Sequence, residues 1–251
     1  MQSKVSMYNH GKIPMHDFGY AVVEAIEYKN WWDREKIHSY IFMENIELSK
    51  IINHKRSEVI PVGSIEFCLD YYNKIGIGNI KPLNIPDCLW KFVHRKICID
   101  YCSNINGHWY LKSTKKIKSS DNREVWFNGD GGNDTKYFLT EWIDNVVSEW
   151  RLFVYNKEIL GIKCYSGDEW ILPDKSHCEK IVKAYDKKSY TLDVMVYTSK
   201  LQDPTRRVFI TDIVELHDFF ACGLYGFNHH KLLNMLITAH KELVSTLDVI
   251  H

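Results

Sequence analysis

Through the middle of this chain apolar residues recur with a period of two, the alternation of half-buried strands, and a few stretches switch to helical spacing. Ser64 is a candidate N-cap for a helix over 65–74, with Glu66 in its first turn and Gly76 as its stop. Asp87 is a candidate cap for a second helix, 88–95. Aromatic-rich strand patterns follow at 108–114 and 124–127, and the run Asn128-Gly-Asp-Gly-Gly-Asn-Asp134 predicts a flexible turn. Strands resume at 136–143 and 148–155, the latter pairing back onto 159–165 across the turn Asn156-Lys157. Ser176 and Glu179 form a capping-box pattern opening a helix to about Lys188. Two β-type runs, 190–197 and 208–216, joined by the polar loop from Ser199 to Thr205, predict an antiparallel hairpin. From about His229, Leu232, Leu236, Ala239, Leu243 and Leu247 line one face of a closing helix. Strands interleaved with flanking helices give an α+β protein. A division drawn near residue 105 separates an N-terminal region of short strands and helices (1–105) from the rest of the chain (106–251).

Composition narrows the function. At 251 residues the chain can bury a core without staples, and Lys+Arg equals Asp+Glu at 32 each. Balanced charge argues neither for nor against nucleic acid, so any polyanion site must be local. No window approaches a membrane span, and the first ten residues lack a basic region followed by an apolar stretch, so the expected location is the cytosol. The seven cysteines sit within apolar patterns and predict buried reduced thiols; Cys98 and Cys102 lack the companions of a zinc site, and Cys222 reads as packing. The tryptophans read as core residues and His229-His230 as a solvated first turn.

Three groups carry candidate chemistry. Glu215 and His217, two apart in a strand, share a face, and Asp193 on the partner strand reaches it if the register permits; two carboxylates suit a divalent ion. The bland alternative is a set of solvent-facing carboxylates on an edge strand. Lys112 interrupts an apolar strand and needs a partner or ligand, while Lys115, Lys116 and Lys118 beside the glycine run are either phosphate ligands or a solvated basic turn. Glu149 and Arg151 share a face, as a phosphoryl clamp or a structural ion pair.

The order of these motifs, namely the lysine strand, the glycine-rich turn, Thr140-Glu-Trp-Ile, Ser148-Glu-Trp-Arg, Leu192-Asp-Val, Val214-Glu-Leu-His-Asp and Gly223-Leu-Tyr-Gly-Phe, resembles ATP-grasp ligases. It is most similar to the phage-associated clade named for a shared arginine and two lysines, whose amino-terminal motif Ile60-Pro-Val-Gly-Ser-Ile-Glu-Phe67 resembles. The resemblance runs from about residue 58 to 227. It implies two α+β subdomains clasping ATP, with a small pre-ATP-grasp-like domain in front. It further implies that Lys112, with Lys116 or Lys118, holds the α- and β-phosphates. The backbone of Glu141, Trp142 and Ile143 would contact adenine, Glu149 would lie near ribose or substrate, and Arg151 would stabilise the transferring phosphoryl group. Asp193 and Glu215 would hold Mg2+. His217 stands where the family pattern has asparagine, which shifts the preference toward Mn2+, or hands the position to Asp218, or impairs the site.

The expected activity is a carboxylate–amine ligase using ATP through an acyl phosphate, with an amino acid, peptide or protein as amine acceptor and no membrane partner. Two alternatives remain at this stage: a polynucleotide ligase working through a lysyl adenylate, although Lys112 is followed by Ser-Thr-Lys and not by the usual x-Asp-Gly, and a non-catalytic nucleotide-binding or interaction module.

Overall fold

The computed structural model describes residues 3–10, 13–14, 17–43, 58–78, 80–128, 135–199 and 208–245. Three four-stranded sheets organise them. In the first, β1 (Ser3–His10) pairs in parallel with β3 (His38–Met43) and β4 (Val59–Val62), and antiparallel with the two-residue β2 (Ile13–Pro14). Helix α1 (Asp17–Asp33) connects within this unit and buries Phe18, Val22, Ala25 and Ile26, a spacing that keeps one stripe inward. Strands β1, β3 and β4 are joined in parallel with α1 between the first two, an α/β arrangement.

The second sheet runs β5 (Ile97–Tyr101), β8 (Lys136–Glu141), β6 (Asn106–Ser113), β7 (Arg123–Asn128), all antiparallel. The third runs β10 (Glu158–Gly167), β9 (Val146–Tyr155), β11 (Ser189–Thr198), β12 (Phe209–Asp218), also antiparallel. The β9–β10 hairpin turns through Asn156 and Lys157, both with positive φ (49° and 66°), the left-handed pair that a two-residue hairpin requires.

Alternation on β9 decides the layering. Trp150, Leu152 and Val154 face a core closed by helix α3 (Lys175–Ala184). Glu149, Arg151 and Phe153 face the other way. Phe153 is covered by Phe219 and Phe227 and joins the cluster that includes helix α4 (Leu232–Ser245) and α1. One end of this face is therefore a sealed apolar core, and the other end, carrying Glu149 and Arg151, is left open toward the second sheet. A third cluster joins helix α2 (Ile65–Lys74) to β4 and to Phe220, and Ser64 caps α2 through Phe67 N at 3.1 Å.

Several local expectations are corrected. Residues 87–92 form a 3-10 helix and not an α-helix to Arg95. Asp174, not Ser176, caps α3: its Oδ1 accepts from Ser176 N (2.8 Å) and His177 N (3.2 Å), and the helix stops at Ala184 rather than near Lys188. A carboxylate at a helix N-terminus adds charge to the capping bond, which explains its precedence over the serine two residues on. Asp174→Ala is expected to lower stability by about 1 kcal/mol, read by urea denaturation. Strand β8 ends at Glu141, leaving Trp142 and Ile143 outside it. Trp31, Trp32, Trp126 and Trp170 are exposed and not core; only Trp150 among the eight is fully enclosed. His230 packs against Tyr28 with ring centres 3.8 Å apart and planes tilted by 42°, and His229 lies 3.5 Å from Glu24. Of the cysteines, Cys68, Cys102, Cys178 and Cys222 are buried, whereas Cys88 is exposed and Cys98 and Cys164 are half-buried. Gly129 to Asp134 of the glycine-rich turn, most of the 199–205 loop, and Leu247 lie outside the described residues. Among those described, no helix is long and apolar enough to cross a membrane.

Candidate active site

Strand pairing assembles the polar cluster. Asp193 on β11 stands directly opposite Arg151 on β9 and opposite Glu215 on β12, so three charged residues form a row across three strands. After Asp193 the register slips: Val194 pairs with Ile213, and Val214 is the extra residue of a β-bulge. The carbonyl of Val214 accepts from Lys112 Nζ at 3.3 Å. Lys112, at the end of β6 in the second sheet, also donates to Glu215 Oε2 at 2.8 Å, so the lysine that the strand pattern left without a partner finds one across the cleft.

Arg151 grips Asp193 in a two-point contact, Nε to Oδ1 at 2.8 Å and Nη2 to Oδ2 at 2.7 Å, and Nη1 donates to Gly223 O at 3.1 Å. Asp193 is 2% exposed on an inner strand, which removes the solvent-facing, edge-strand alternative for it. Tyr225 and Tyr165 stack on one another with centroids 5.4 Å apart, and the guanidinium carbon sits 5.3 and 5.9 Å from their respective rings. Burial acts against a charged Arg151, but the bond and field of Asp193 outweigh it and raise its pKa further. Burial likewise pushes the Tyr165 hydroxyl far up, aided by Asp193 and Glu149, so Tyr165 stays a neutral donor.

His217 Nε2 lies 2.9 Å from Glu215 Oε1 and 3.8 Å from Asp193 Oδ2. One ligand atom from each of Asp193, Glu215 and His217 falls within 4.8 Å of the others, a grouping able to hold a divalent cation. Burial would raise the Glu215 pKa, but Lys112 and His217 together reverse this and hold it well below the usual carboxylate range. Asp218 is ion-paired to Lys187 and stands outside the triad. Cys222 is buried, which pushes its thiol up to about 12 and leaves it inert.

Two cavities meet at this cluster. The first, about 470 Å³, is lined by Lys112, Glu149, Arg151, Asp193 and Glu215 at one end and by Glu141, Trp142 and Ile143 at the other. The amides of Glu141 and Trp142 are already committed, to Lys96 O (2.8 Å) and His108 O (3.0 Å). Trp142 stacks near Tyr110, giving this end an aromatic wall. The second cavity, about 400 Å³, shares Asn122, Arg151, Glu215 and Tyr225 with the first. Lys116 and Lys118 line the second cavity and not the first, so the structure separates them from Lys112.

Sequence reasoning passed over Arg95, Tyr110, Asn122, Tyr165 and Tyr225, all of which line the first cavity. Arg95 forms an enclosed ion pair with Asp212 at 3.0 Å. Tyr225 lies inside the quoted Gly223-Leu-Tyr-Gly-Phe motif, and Tyr165 closes a predicted strand; the others had no local signal.

Over residues 92–235, more than half of its length, the sequence matches the ATP-grasp domain family that is the second of the clade named for one arginine and two lysines. The chain belongs to the ATP-grasp family. Its fold is the ATP-grasp fold: biotin carboxylase from Campylobacter jejuni in a βγ-ATP complex is 11% identical with a TM-score of 0.54, covering 96% of this chain and 70% of that one. D-alanine–D-alanine ligase from Bacillus anthracis complexed with ATP is 11% identical at TM-score 0.50, with 98% and 99% covered. L-amino acid ligase from Bacillus licheniformis is 7% identical at TM-score 0.51, with 97% and 74% covered. No curated protein matches the sequence. In this ATP-grasp chain the two antiparallel sheets face one another across the first cavity, with Lys112 reaching from one sheet to the acidic row of the other.

Proposed function

We propose that this protein is an ATP-dependent ligase that activates a carboxylate as an acyl phosphate and joins it to an amine. The observation that carries the proposal is the convergence of Lys112, Arg151, Asp193 and Glu215, from two sheets, on the end of a cavity whose other end is the Glu141–Ile143 segment. Adenine would lie against Tyr110 and Trp142; with two amides of the segment already engaged, the amide of Ile143 is the donor we assign to it. The triphosphate would extend toward Lys112.

Asp193, Glu215 and His217 fit a divalent cation in donor type and spacing, and the imidazole among them suits Mn2+ better than Mg2+. Such an ion, when bound, offsets negative charge on the phosphates during transfer. The chain's own residues do the rest. Arg151 is held by three hydrogen bonds, and the remaining N–H groups on Nη1 and Nη2 are available to the equatorial oxygens of the migrating phosphoryl group. Lys112 neutralises oxygens on the side of departing ADP. In the first step a substrate carboxylate oxygen bonds to the γ-phosphorus while the bond to the β,γ-bridging oxygen breaks, releasing ADP. In the second, the amine attacks the acyl carbon, phosphate leaves, and the amine gives up a proton. Glu149 borders the first cavity and is the carboxylate we assign to ribose or to the incoming substrate.

The lysyl-adenylate alternative has no geometric support, because Lys112 is committed to Glu215 and to the Val214 carbonyl. Incubation with ATP, Mn2+ or Mg2+, a carboxylate panel and hydroxylamine tests the main reading. Hydroxamate formed in step with ADP is expected; ATP binding with no hydroxamate from any carboxylate or metal would leave a nucleotide-binding module instead.

A further inference from the structure

The second cavity bears an unbalanced charge. Lys81, Lys116 and Lys118 line it, and none has a carboxylate partner among the described residues. The acids on its wall are already matched: Glu215 by Lys112 and Asp218 by Lys187. Arg151, the fourth cation on the wall, is matched by Asp193. Among the described residues these three exposed lysines line one cavity without a counter-charge, which makes its potential positive and favours an anionic occupant.

The backbone that carries Lys116 is also held in place. Ser113, buried at the end of β6, accepts at Oγ from the amides of Lys115 (3.1 Å) and Lys116 (3.0 Å), which folds the lysine turn over the cavity. Ser113 N donates to Asn122 Oδ1 at 2.8 Å, and Ser113 O accepts from Asn84 Nδ2 at 3.2 Å. Asn84 O in turn accepts from Leu216 N on β12 at 2.7 Å. Asn84 is itself buried and adopts positive φ (48°), a conformation that asparagine tolerates better than most residues. Lys81 to Asn84, the lysine turn and the acidic strand are thus joined into one rigid wall. Leu83, Ile117 and Phe220 give the cavity an apolar stretch, while His217 and Tyr225 add polar groups on the side of the acidic strand.

Resting on the ligase reading above, we infer that the second cavity selects a carboxylate substrate bearing at least one further anionic group separated from the reacting carboxylate by a short apolar spacer. The reacting carboxylate lies toward Arg151, at the junction of the cavities. The second anion lies toward Lys81, Lys116 and Lys118, and the spacer lies along the apolar lining.

The full chain is assayed with ATP, divalent cation and hydroxylamine, comparing glutarate with valerate, which match in length and differ in the distal charge. Glutarate is expected to give a kcat/KM at least about tenfold higher, the scale of a few charge-assisted contacts. Lys81→Gln, at an exposed position, is expected to raise the KM for glutarate roughly tenfold, leave valerate unchanged, and leave the dissociation constant for an ATP analogue unchanged. Calorimetry of both acids on analogue-loaded protein reads the same preference independently of turnover. Equal use or equal binding of the two acids, or no binding of either, overturns the inference. So does a loss of nucleotide affinity, in place of glutarate affinity, in Lys116→Gln and Lys118→Gln, which would hand those lysines to the triphosphate. Failure of the unmodified protein to bind the ATP analogue at all is a different result and sinks the ligase reading itself.

Discussion

Arg151→Met is expected to abolish ADP release and to lower the free energy of unfolding by about 3–5 kcal/mol. The second effect follows from burial. Asp193 is 2% exposed, and both of its oxygens are held by the guanidinium, so removing the arginine leaves an enclosed carboxylate whose one remaining ion-pair neighbour among the described residues is His217 at 3.8 Å. By comparison, fully burying one leucine or phenylalanine contributes roughly 1.5–3 kcal/mol, so this one contact outranks most single core positions. The double variant Arg151→Met/Asp193→Leu separates the effects: it should recover most of the stability and none of the activity, because replacing both partners removes the unmet charge. Urea denaturation and an ADP assay read the two. A single variant within about 1 kcal/mol of the parent would mean that the acid has another way to be satisfied.

Under the proposed function, Glu215→Gln should cost about 10²–10³ in kcat, since it removes one charge of the proposed cation site and loosens Lys112 at once. It also carries a pH signature. The folded protein holds the Glu215 pKa below its usual value of about 4.3, so ionisation of this group favours the folded state. That contribution is fully present above the unfolded value and declines as the pH falls through the interval below it. The parent should therefore exceed the glutamine variant in stability by a constant margin from pH 7 to about pH 5, and the margin should shrink toward pH 3. Denaturation curves at those pH values test it; a margin that grows on acidification would mean that burial, not Lys112, dominates at this carboxylate.

How far the sequence could be read depended on whether the decisive interaction was local. The pairing of 190–197 with 208–216, and the common face of Glu215 and His217, follow from alternation within a strand, and strand geometry preserves them. The match of Asp193 to both Arg151 and Glu215 depends on register between residues 42 and 22 positions apart, which no local pattern encodes. Tyr110, Asn122 and Arg95 escaped notice for the same reason, since each acquires meaning only when the second sheet faces the third. The cap of α3 was missed differently. The serine–glutamate pattern was genuine by spacing, but Asp174, next to Pro173, takes the amides of Ser176 and His177 and starts the helix two residues earlier. The exposed tryptophans show that aromatic content within an amphipathic pattern does not say which side of a helix or strand a ring takes.

The extra residue in β12 has an effect beyond the carbonyl it supplies. Positions 212 and 215 are an odd number apart, so an uninterrupted strand would aim them to opposite sides. With Val214 inserted, Asp212 stands opposite Met195 and Glu215 opposite Asp193, two residues that share a side. One strand can thereby serve two basic residues from the facing half of the molecule, Arg95 through Asp212 and Lys112 through Glu215. Straightening the bulge with Val214 retained as an ordinary strand residue would throw the two acids out of phase, so that keeping either contact means giving up the other.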